Sequence, residues 1–259
     1  LDFDFQLDAT EKGIQRYDIS VKPNSLESNN RNNFSSIFID VVEGKKKIVL
    51  IAPAPHPDIK ALKSVVEKNS NYEFIVHIPG VAEADREVLT PGNAELYIFH
   101  QAIDQAGRTA ALFNTLYKSE SSVMMMIGGN TNLRQLAGYD VPIQFESLND
   151  QWDDVTPVIN SNFRDFGFSE NSNGVFARYP PIDVPFGKFS YPSNAQIILY
   201  QRIGSVTTDR PLLLTWPDGN RKLAVLIGEG LWRWRLNEFA DNGNTKMFDE
   251  LFSKLIQYL

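Results

Sequence analysis

Apolar and polar positions along this chain follow two patterns, and the change falls near residue 45. Before it, "LDFDFQLDA", "IQRYDISVK" and "SSIFIDVVEG" alternate with the period of two that half-buried strands show; Ile14, Tyr17, Ile19 and Val21 supply most of one face of the second run. "PNSLESNNRNN" between the second and third runs is dense in turn formers. Three strands without a helix cannot bury a two-sided core. Residues 1–45 are therefore expected to be part of a β-sandwich, or strands that pack on the next domain.

From Lys46 onward strands and helices alternate. "KKIVLIAPAP" is an almost unbroken apolar run, as a parallel strand covered on both faces requires. Pro57 and Asp58 suit a first helical turn, and Ile59, Leu62, Val65 and Val66 follow at helical spacing. "YEFIVHIPG", "AELYIFHQA" and "SSVMMMIGG" read as further strands, "TAALFNTLYKS" and "TNLRQLA" as helices. This order predicts right-handed crossovers and a mostly parallel sheet in a flavodoxin-like or Rossmann-like three-layer α/β fold. The rhythm breaks over about 140–195, a segment rich in proline, asparagine and aromatics that reads as an ordered insertion packed on one end of the sheet. "AQIILYQRIG", "RPLLLTWP" and "KLAVLIGEG" then predict strands joined by tight turns, one of them Pro217-Asp218-Gly219-Asn220. Phe248, Leu251, Phe252, Leu255, Ile256 and Leu259 mark one stripe of a terminal helix.

Composition narrows the function classes. The net charge of −7 lacks the basic excess of a nucleic-acid binder, and Lys45-Lys46-Lys47 reads as a solvated strand entrance. There is no cysteine, which excludes a thiol nucleophile, a disulfide and a thiolate metal site. No apolar run approaches the ~18 residues that span a bilayer. The chain opens abruptly in strand-like alternation, so an excised or processed piece is expected, with targeting segments outside it.

Several motifs carry a family resemblance. They are "GNRKLAVLIGEGLWRWRL" followed by "FDELFSKLIQYL", with "VLIAPAPHPDIKALKSVV", "LYIFHQ", "IGGNTNL" and "YPPIDVPFGKF" in support. On these, residues 46–259 resemble the glutamine-amidotransferase-like domain of bacterial, Bacteroidetes-type cell-envelope proteins, often associated with von Willebrand factor A domains. Residues 1–45 resemble the last strands of an immunoglobulin-like module preceding such domains. The resemblance implies a class I, flavodoxin-like fold. It also implies an extracytoplasmic, periplasmic-side setting within a membrane-anchored protein, with envelope proteins or flanking domains as partners. Active members use a cysteine on a strained turn. Here the matching turn is Gly128-Gly129-Asn130-Thr131, and no Gly-x-Ser-x-Gly elbow replaces it. Thr131 reads as a helix cap. The implied state is a catalytically inactive domain, a pseudoenzyme, with no catalytic residue, cofactor or metal assigned.

Candidate ligand-binding residues cluster in the strand-to-helix turns. His56, Asp58 and His100 fall at the carboxyl edge of the sheet, where open parallel sheets bind ligands. They could serve as a base or half of a metal site, or merely satisfy loop backbone. Gly128, Gly129 and Asn130 open a helix whose amides could hold an anion, or simply make a tight turn. Glu229 lies between two glycines. In "GEGLWRWRL", Trp232, Arg233, Trp234 and Arg235 read as a structural keystone, with both tryptophans in the core and the arginines paired to Glu229, Glu238 or the Asp150, Asp153, Asp154 group. An aromatic–arginine ligand pocket is the alternative. If that stretch is helical, Trp232, Leu236 and Phe239 share one stripe. The leading expectation is a non-enzymatic interaction or scaffold module. The alternative is a hydrolase or sugar- or anion-binding domain using His56, His100 and Glu229 at the carboxyl edge.

Overall fold

The computed structural model describes residues 11–22, 33–41, 44–139, 141–145, 151–169 and 172–259. Two compact units divide the chain, Leu1–Lys45 and Lys46–Leu259. In the first, β1 (Gly13–Ser20) pairs antiparallel with β2 (Phe34–Val41), Tyr17 opposite Ile37. Tyr17 and Ile19 share the less exposed face, but Ile14 is 74% exposed and lies on the other, because a strand period of two separates positions 14 and 17. "LDFDFQLDA" and the turn-rich segment before Asn33 lie outside the described residues.

The second unit is mixed α/β. Its elements begin β3 (Lys46–Ile51), α1 (Pro57–Val66), β4 (Tyr72–His77), β5 (Leu96–His100), α2 (Ala110–Leu116), β6 (Ser122–Ile127), α3 (Leu133–Leu136) and β7 (Gln144–Phe145). They continue β8 (Trp152–Ile159), α4 (Ser172–Phe176), β9 (Ile182–Pro185), β10 (Phe189–Ser190), β11 (Gln196–Ile203), β12 (Val206–Asp218), β13 (Arg221–Ile227), α5 (Leu231–Asn242) and α6 (Lys246–Tyr258). Among the described residues nine strands form one sheet in the order β4-β3-β5-β6-β13-β12-β11-β8-β9. The first five are parallel; from β13 onward every pairing is antiparallel.

The sheet is thus half parallel, not mostly parallel as the sequence pattern suggests. Periodicity does not reveal direction: β12 is apolar through its buried middle, like a parallel strand, yet turns back on β13 through Gly219. The 140–195 segment also differs from expectation. It extends the sheet itself, contributing β8 and the edge strand β9, rather than capping one end.

Apolar runs explain the buried strands. Ile48, Val49, Leu50 and Ile51 of β3 and every residue of β6 are buried, so both sheet faces are covered there. The amphipathic helices α1, α5 and α6 pack on one another. Phe113 of α2 meets Phe99 of β5 edge-on and stacks on Tyr117.

One buried carboxylate joins the last two helices. Glu238, 2% exposed, accepts from Met247 N at 2.8 Å, Phe248 N at 2.9 Å and the Tyr179 hydroxyl at 2.7 Å. It supplies the acceptors that the first turn of α6 lacks, since Thr245 makes no side-chain cap bond. Burial and then the Glu238 hydrogen bond push the Tyr179 phenol well up, so it stays a donor. Glu238→Gln keeps the shape but turns an amide NH2 toward one of three donors. A loss of about 1–3 kcal/mol in denaturant unfolding is expected, against little change for Glu67→Gln at the exposed end of α1.

Candidate functional site

Four parallel strands deliver their carboxyl ends to one place. After β3, "PAPHPD" turns into α1; His56 is its N-cap, with extended φ −147°, and its Nδ1 accepts from Asp58 N at 3.2 Å. Pro57 preorganises the first turn. After β5, Gln101 takes φ 53° and Ile103 φ 61°. A left-handed β-branched residue is a genuine backbone outlier, and such strain clusters where geometry is functionally constrained. After β6 comes Gly128-Gly129, and after β13 Gly228-Glu229-Gly230, in which Gly228 and Gly230 take φ 144° and 117°.

Asp58 is fully buried. Its Oδ2 accepts from Gly230 N at 2.8 Å and its Oδ1 from Trp232 N at 2.9 Å, so it caps the start of α5 from another helix. His100, 1% exposed, brings Nε2 to 3.9 Å from Asp58 Oδ2, too long for a hydrogen bond. Neither of its ring nitrogens has a hydrogen-bond partner among the described residues. The His56 and His100 ring centroids are 4.7 Å apart. His56 Nδ1 lies 3.5 Å from Asp58 Oδ2, and its Nε2 3.7 Å from Glu229 Oε2. Because Nδ1 accepts the capping bond, the neutral ring carries its proton on Nε2, toward Glu229. The side chains of His56 and Glu229, 21% and 23% exposed, form the solvent-facing part of the cluster.

Gln101 completes it. The Gln101 amide donates to Glu229 Oε2 and accepts from Asn130 N at 3.0 Å. Glycine at 128 is what allows this, for a Cβ there would lie 2.6 Å from both the Gln101 amide and Glu229 Oε2. The amides expected to hold an anion are largely occupied: Gly128 N donates to Thr131 Oγ1 at 3.1 Å, and Asn130 N to Gln101. The following helix has four residues, and Asn132, not Thr131, caps it. The Gly128–Asn130 turn thus positions Gln101 and Glu229, with two of its three amides engaged within the protein.

The aromatic–arginine segment is helical and divides. Trp234 is fully buried, stacked on Tyr179 at 5.3 Å, and its Nε1 donates to Pro180 O at 3.0 Å. Trp232 is only partly buried, and Leu236 and Phe239 on its stripe are 53% and 57% exposed, so the expectation that both tryptophans are core holds for one. Arg233 pairs with Asp183 at 2.8 Å, a partner not foreseen; Asp183 in turn bridges the Glu229 backbone. Arg235 Nε is buried without a hydrogen-bond partner among the described residues. Asp153 faces Arg210 at 3.9 Å, and Asp150 lies outside the described residues. His77 sits in β4, accepting from Ala84 N at 3.3 Å, apart from this cluster.

Electrostatics decide what the site accepts. With Arg233 paired to Asp183, Asp58 and Glu229 leave the edge negative, which disfavours anions and favours hydroxyl-rich or cationic ligands. Burial lowers the His56 pKa below its usual 6.5, outweighing Asp58 and Glu229, so the ring is neutral at pH 7. Burial alone would raise Asp58, but the His100 ring and the Gly230 and Trp232 amides outweigh it and hold the carboxyl below 3.8. In both cases the unfolded chain binds the proton more readily. Stability is thus expected to fall as pH drops below about 6.5 through His56, then again below 3.8 through Asp58. Denaturant midpoints from pH 8 to 3 check this, and His56→Ala should remove the upper step alone.

A cleft of about 420 Å³ adjoins Gly129, lined also by Gln105, Thr131, Asn132, Trp152 and Phe186. A larger hollow of about 820 Å³ lies beside α2. Its Arg221 is already bonded to Asp218 and to the Tyr117 and Ser119 carbonyls, and it holds no acid–base pair.

No family model and no curated protein sequence matches the chain. Solved structures similar to it include a carbohydrate deacetylase, at 9% identity and TM-score 0.44, covering 71% of this chain and 29% of that one. A catalytic mutant of a GH42 β-galactosidase from G. stearothermophilus matches at 8% and 0.43, covering 83% and 30%. α-L-Fucosidase isoenzyme 2 from Paenibacillus thiaminolyticus matches at 9% and 0.45, covering 83% and 33%. The chain thus spans about a third of the length of each. At this level the likenesses say nothing of its substrate. They are to carbohydrate-active proteins, not glutamine amidotransferases, and this corrects the family resemblance and the inactive-pseudoenzyme expectation drawn from it. The motifs behind it are strand–turn–helix junctions that many α/β domains share. The periplasmic, membrane-anchored setting rested on that resemblance alone. Among the described residues no helix is long and apolar enough to cross a membrane.

Proposed function

We propose that the Lys46–Leu259 unit is a hydrolase acting on a small hydroxyl-rich ligand at the carboxyl edge of its sheet. Its parallel strands, taken in chain order, run 2-1-3-4-5, which we read as a flavodoxin-like core. In that order the first and third strands, β3 and β5, flank the switch point, the expected place for a ligand, and their loops carry His56 and His100. The observation that carries the reading is the partly exposed His56–Glu229 pair backed by buried Asp58, His100 and Gln101. Glu229 is placed to take a proton from water, and the neutral His56 Nε2–H to donate a hydrogen bond to the charge that develops on a leaving group. Trp152 and Phe186, 40% and 38% exposed, offer apolar faces for a sugar ring in the adjoining cleft, with the Gln105 amide for its hydroxyls.

The test is a panel of nitrophenyl glycosides, nitrophenyl acetate and nitrophenyl phosphate. Turnover of a glycoside or ester, lost by about 10²-fold in Glu229→Gln, is expected; phosphate hydrolysis is not, given the negative edge. No turnover of any glycoside or ester, or turnover indifferent to Glu229, contradicts the reading. A non-enzymatic interaction module is favoured by one observation, the exposed Leu236 and Phe239 on α5.

A further inference from the structure

We infer that His56, Asp58 and His100 form a three-ligand site for a first-row transition-metal dication of the zinc class. Such an ion would be the cofactor of the same cluster, and its catalytic meaning rests on the function proposed above; binding itself does not. One donor atom from each of the three residues lies within 4.8 Å of the others. Asp58 Oδ2 is 3.5 Å from His56 Nδ1 and 3.9 Å from His100 Nε2. Adjacent ligands around an ion with bonds of about 2.1 Å stand roughly 3.4 Å apart, so small side-chain movements close the set. Two imidazoles and one carboxylate are a donor set that such ions prefer, and three protein ligands leave a position open.

The independent observation is His100. A side chain 1% exposed, with neither ring nitrogen hydrogen-bonded among the described residues, carries a desolvation penalty that the 3.9 Å approach to Asp58 offsets only in part. Its Nε2 is directed at the Asp58 carboxylate, and a metal between them supplies the missing partner. The outer groups fit as well. Asp58 is fixed by the Gly230 and Trp232 amides, leaving lone pairs on each oxygen. With His56 Nδ1 on the metal, in exchange for its 3.2 Å capping bond, Nε2–H faces Glu229 at 3.7 Å. That is the carboxylate–histidine–metal arrangement that orients ligating imidazoles. Sequence alone assigns no metal because His56 and His100 are far apart in the chain, and only the β3–β5 pairing brings them together.

The experiment uses the full chain, stripped with chelator and titrated calorimetrically with zinc chloride, with cobalt(II) absorption as a second readout. One ion per chain is expected, with visible cobalt bands of low-symmetry coordination. His100→Gln, which removes no hydrogen bond, should weaken zinc binding by about 100-fold while leaving the circular dichroism unchanged; His77→Gln should bind as the parent does. Absence of stoichiometric binding, or binding indifferent to His100→Gln, overturns the metal site. Zinc binding without turnover of the nitrophenyl panel sustains the metal site and defeats the hydrolase. Turnover in chelator-stripped protein without zinc binding does the reverse.

Discussion

Asp58→Ala is expected to lower the stability of the α/β unit by about 3–5 kcal/mol. Few side chains in it hold as much with so little exposure. The carboxylate, 0% exposed, is the acceptor for Gly230 N and Trp232 N, and no residue of α5 provides a side-chain cap in its place. Removing it strands one buried and one partly buried donor at the positive end of a twelve-residue helix and deletes a compensating charge there. Asp58→Asn keeps one acceptor oxygen and turns its NH2 on the other amide, so about half the loss is expected. Asp218→Ala, whose partner Arg221 also reaches two backbone carbonyls, should cost roughly 1 kcal/mol or less. Denaturant unfolding of the variants at pH 7.5 checks the order. Equal losses at Asp58 and Asp218 would show that the cap is replaceable by water.

Gly128→Ala separates fold from function. The backbone at 128 accepts a side chain, since its φ lies outside the positive range, unlike that of Gly228 at 144°. The new methyl meets the far ends of Gln101 and Glu229 at 2.6 Å, and those ends can swing away. Stability is expected to change by about 1 kcal/mol, because flexible tips and not backbone give way. The Gln101–Glu229 contact, however, is lost and Glu229 is displaced by about an ångström, which is expected to reduce turnover by about 10²-fold. Gly228→Ala should behave oppositely. There the methyl meets Val184 at 2.9 Å and the Asp183 carbonyl at 3.0 Å in a backbone conformation that alanine rarely adopts, so stability falls first. Thermal unfolding and initial rates of the two variants, measured together, distinguish the cases.

These contrasts show what local sequence could reveal. The strand and helix runs from Lys46 to Ile127 were legible because buried parallel strands and amphipathic helices write their periods into the chain, as "KKIVLI" and the α1 positions Ile59, Leu62, Val65 and Val66 do. The carboxyl-edge histidines were legible because each follows an apolar run and precedes a turn. Direction was not legible: nothing in "RPLLLTWP" distinguishes an antiparallel strand from a parallel one. Nor was the capping role of Asp58, whose carboxylate holds the start of a helix 172 residues away. Gln101 escaped notice because its importance lies in a positive φ and in the space above Gly128, neither of which residue type announces. Asp183 was hidden in a proline-rich segment read as insertion, though it anchors Arg233 and the Glu229 backbone.

The central claim is that His56, His100 and Glu229 make one ligand site at the switch point, from which His77 stands apart. The protein has three histidines, so their Cε1–H resonances give three signals, each assignable by single substitution. The most direct measurement records them by NMR while the glycoside or ester turned over best in the panel is added to Glu229→Gln protein, which consumes it about 10²-fold more slowly. The predicted result is that the His56 and His100 signals shift together and saturate at one ligand per chain, with His77 unmoved. If all three drift equally, or His77 alone responds, the ligand binds elsewhere and the carboxyl-edge site is contradicted.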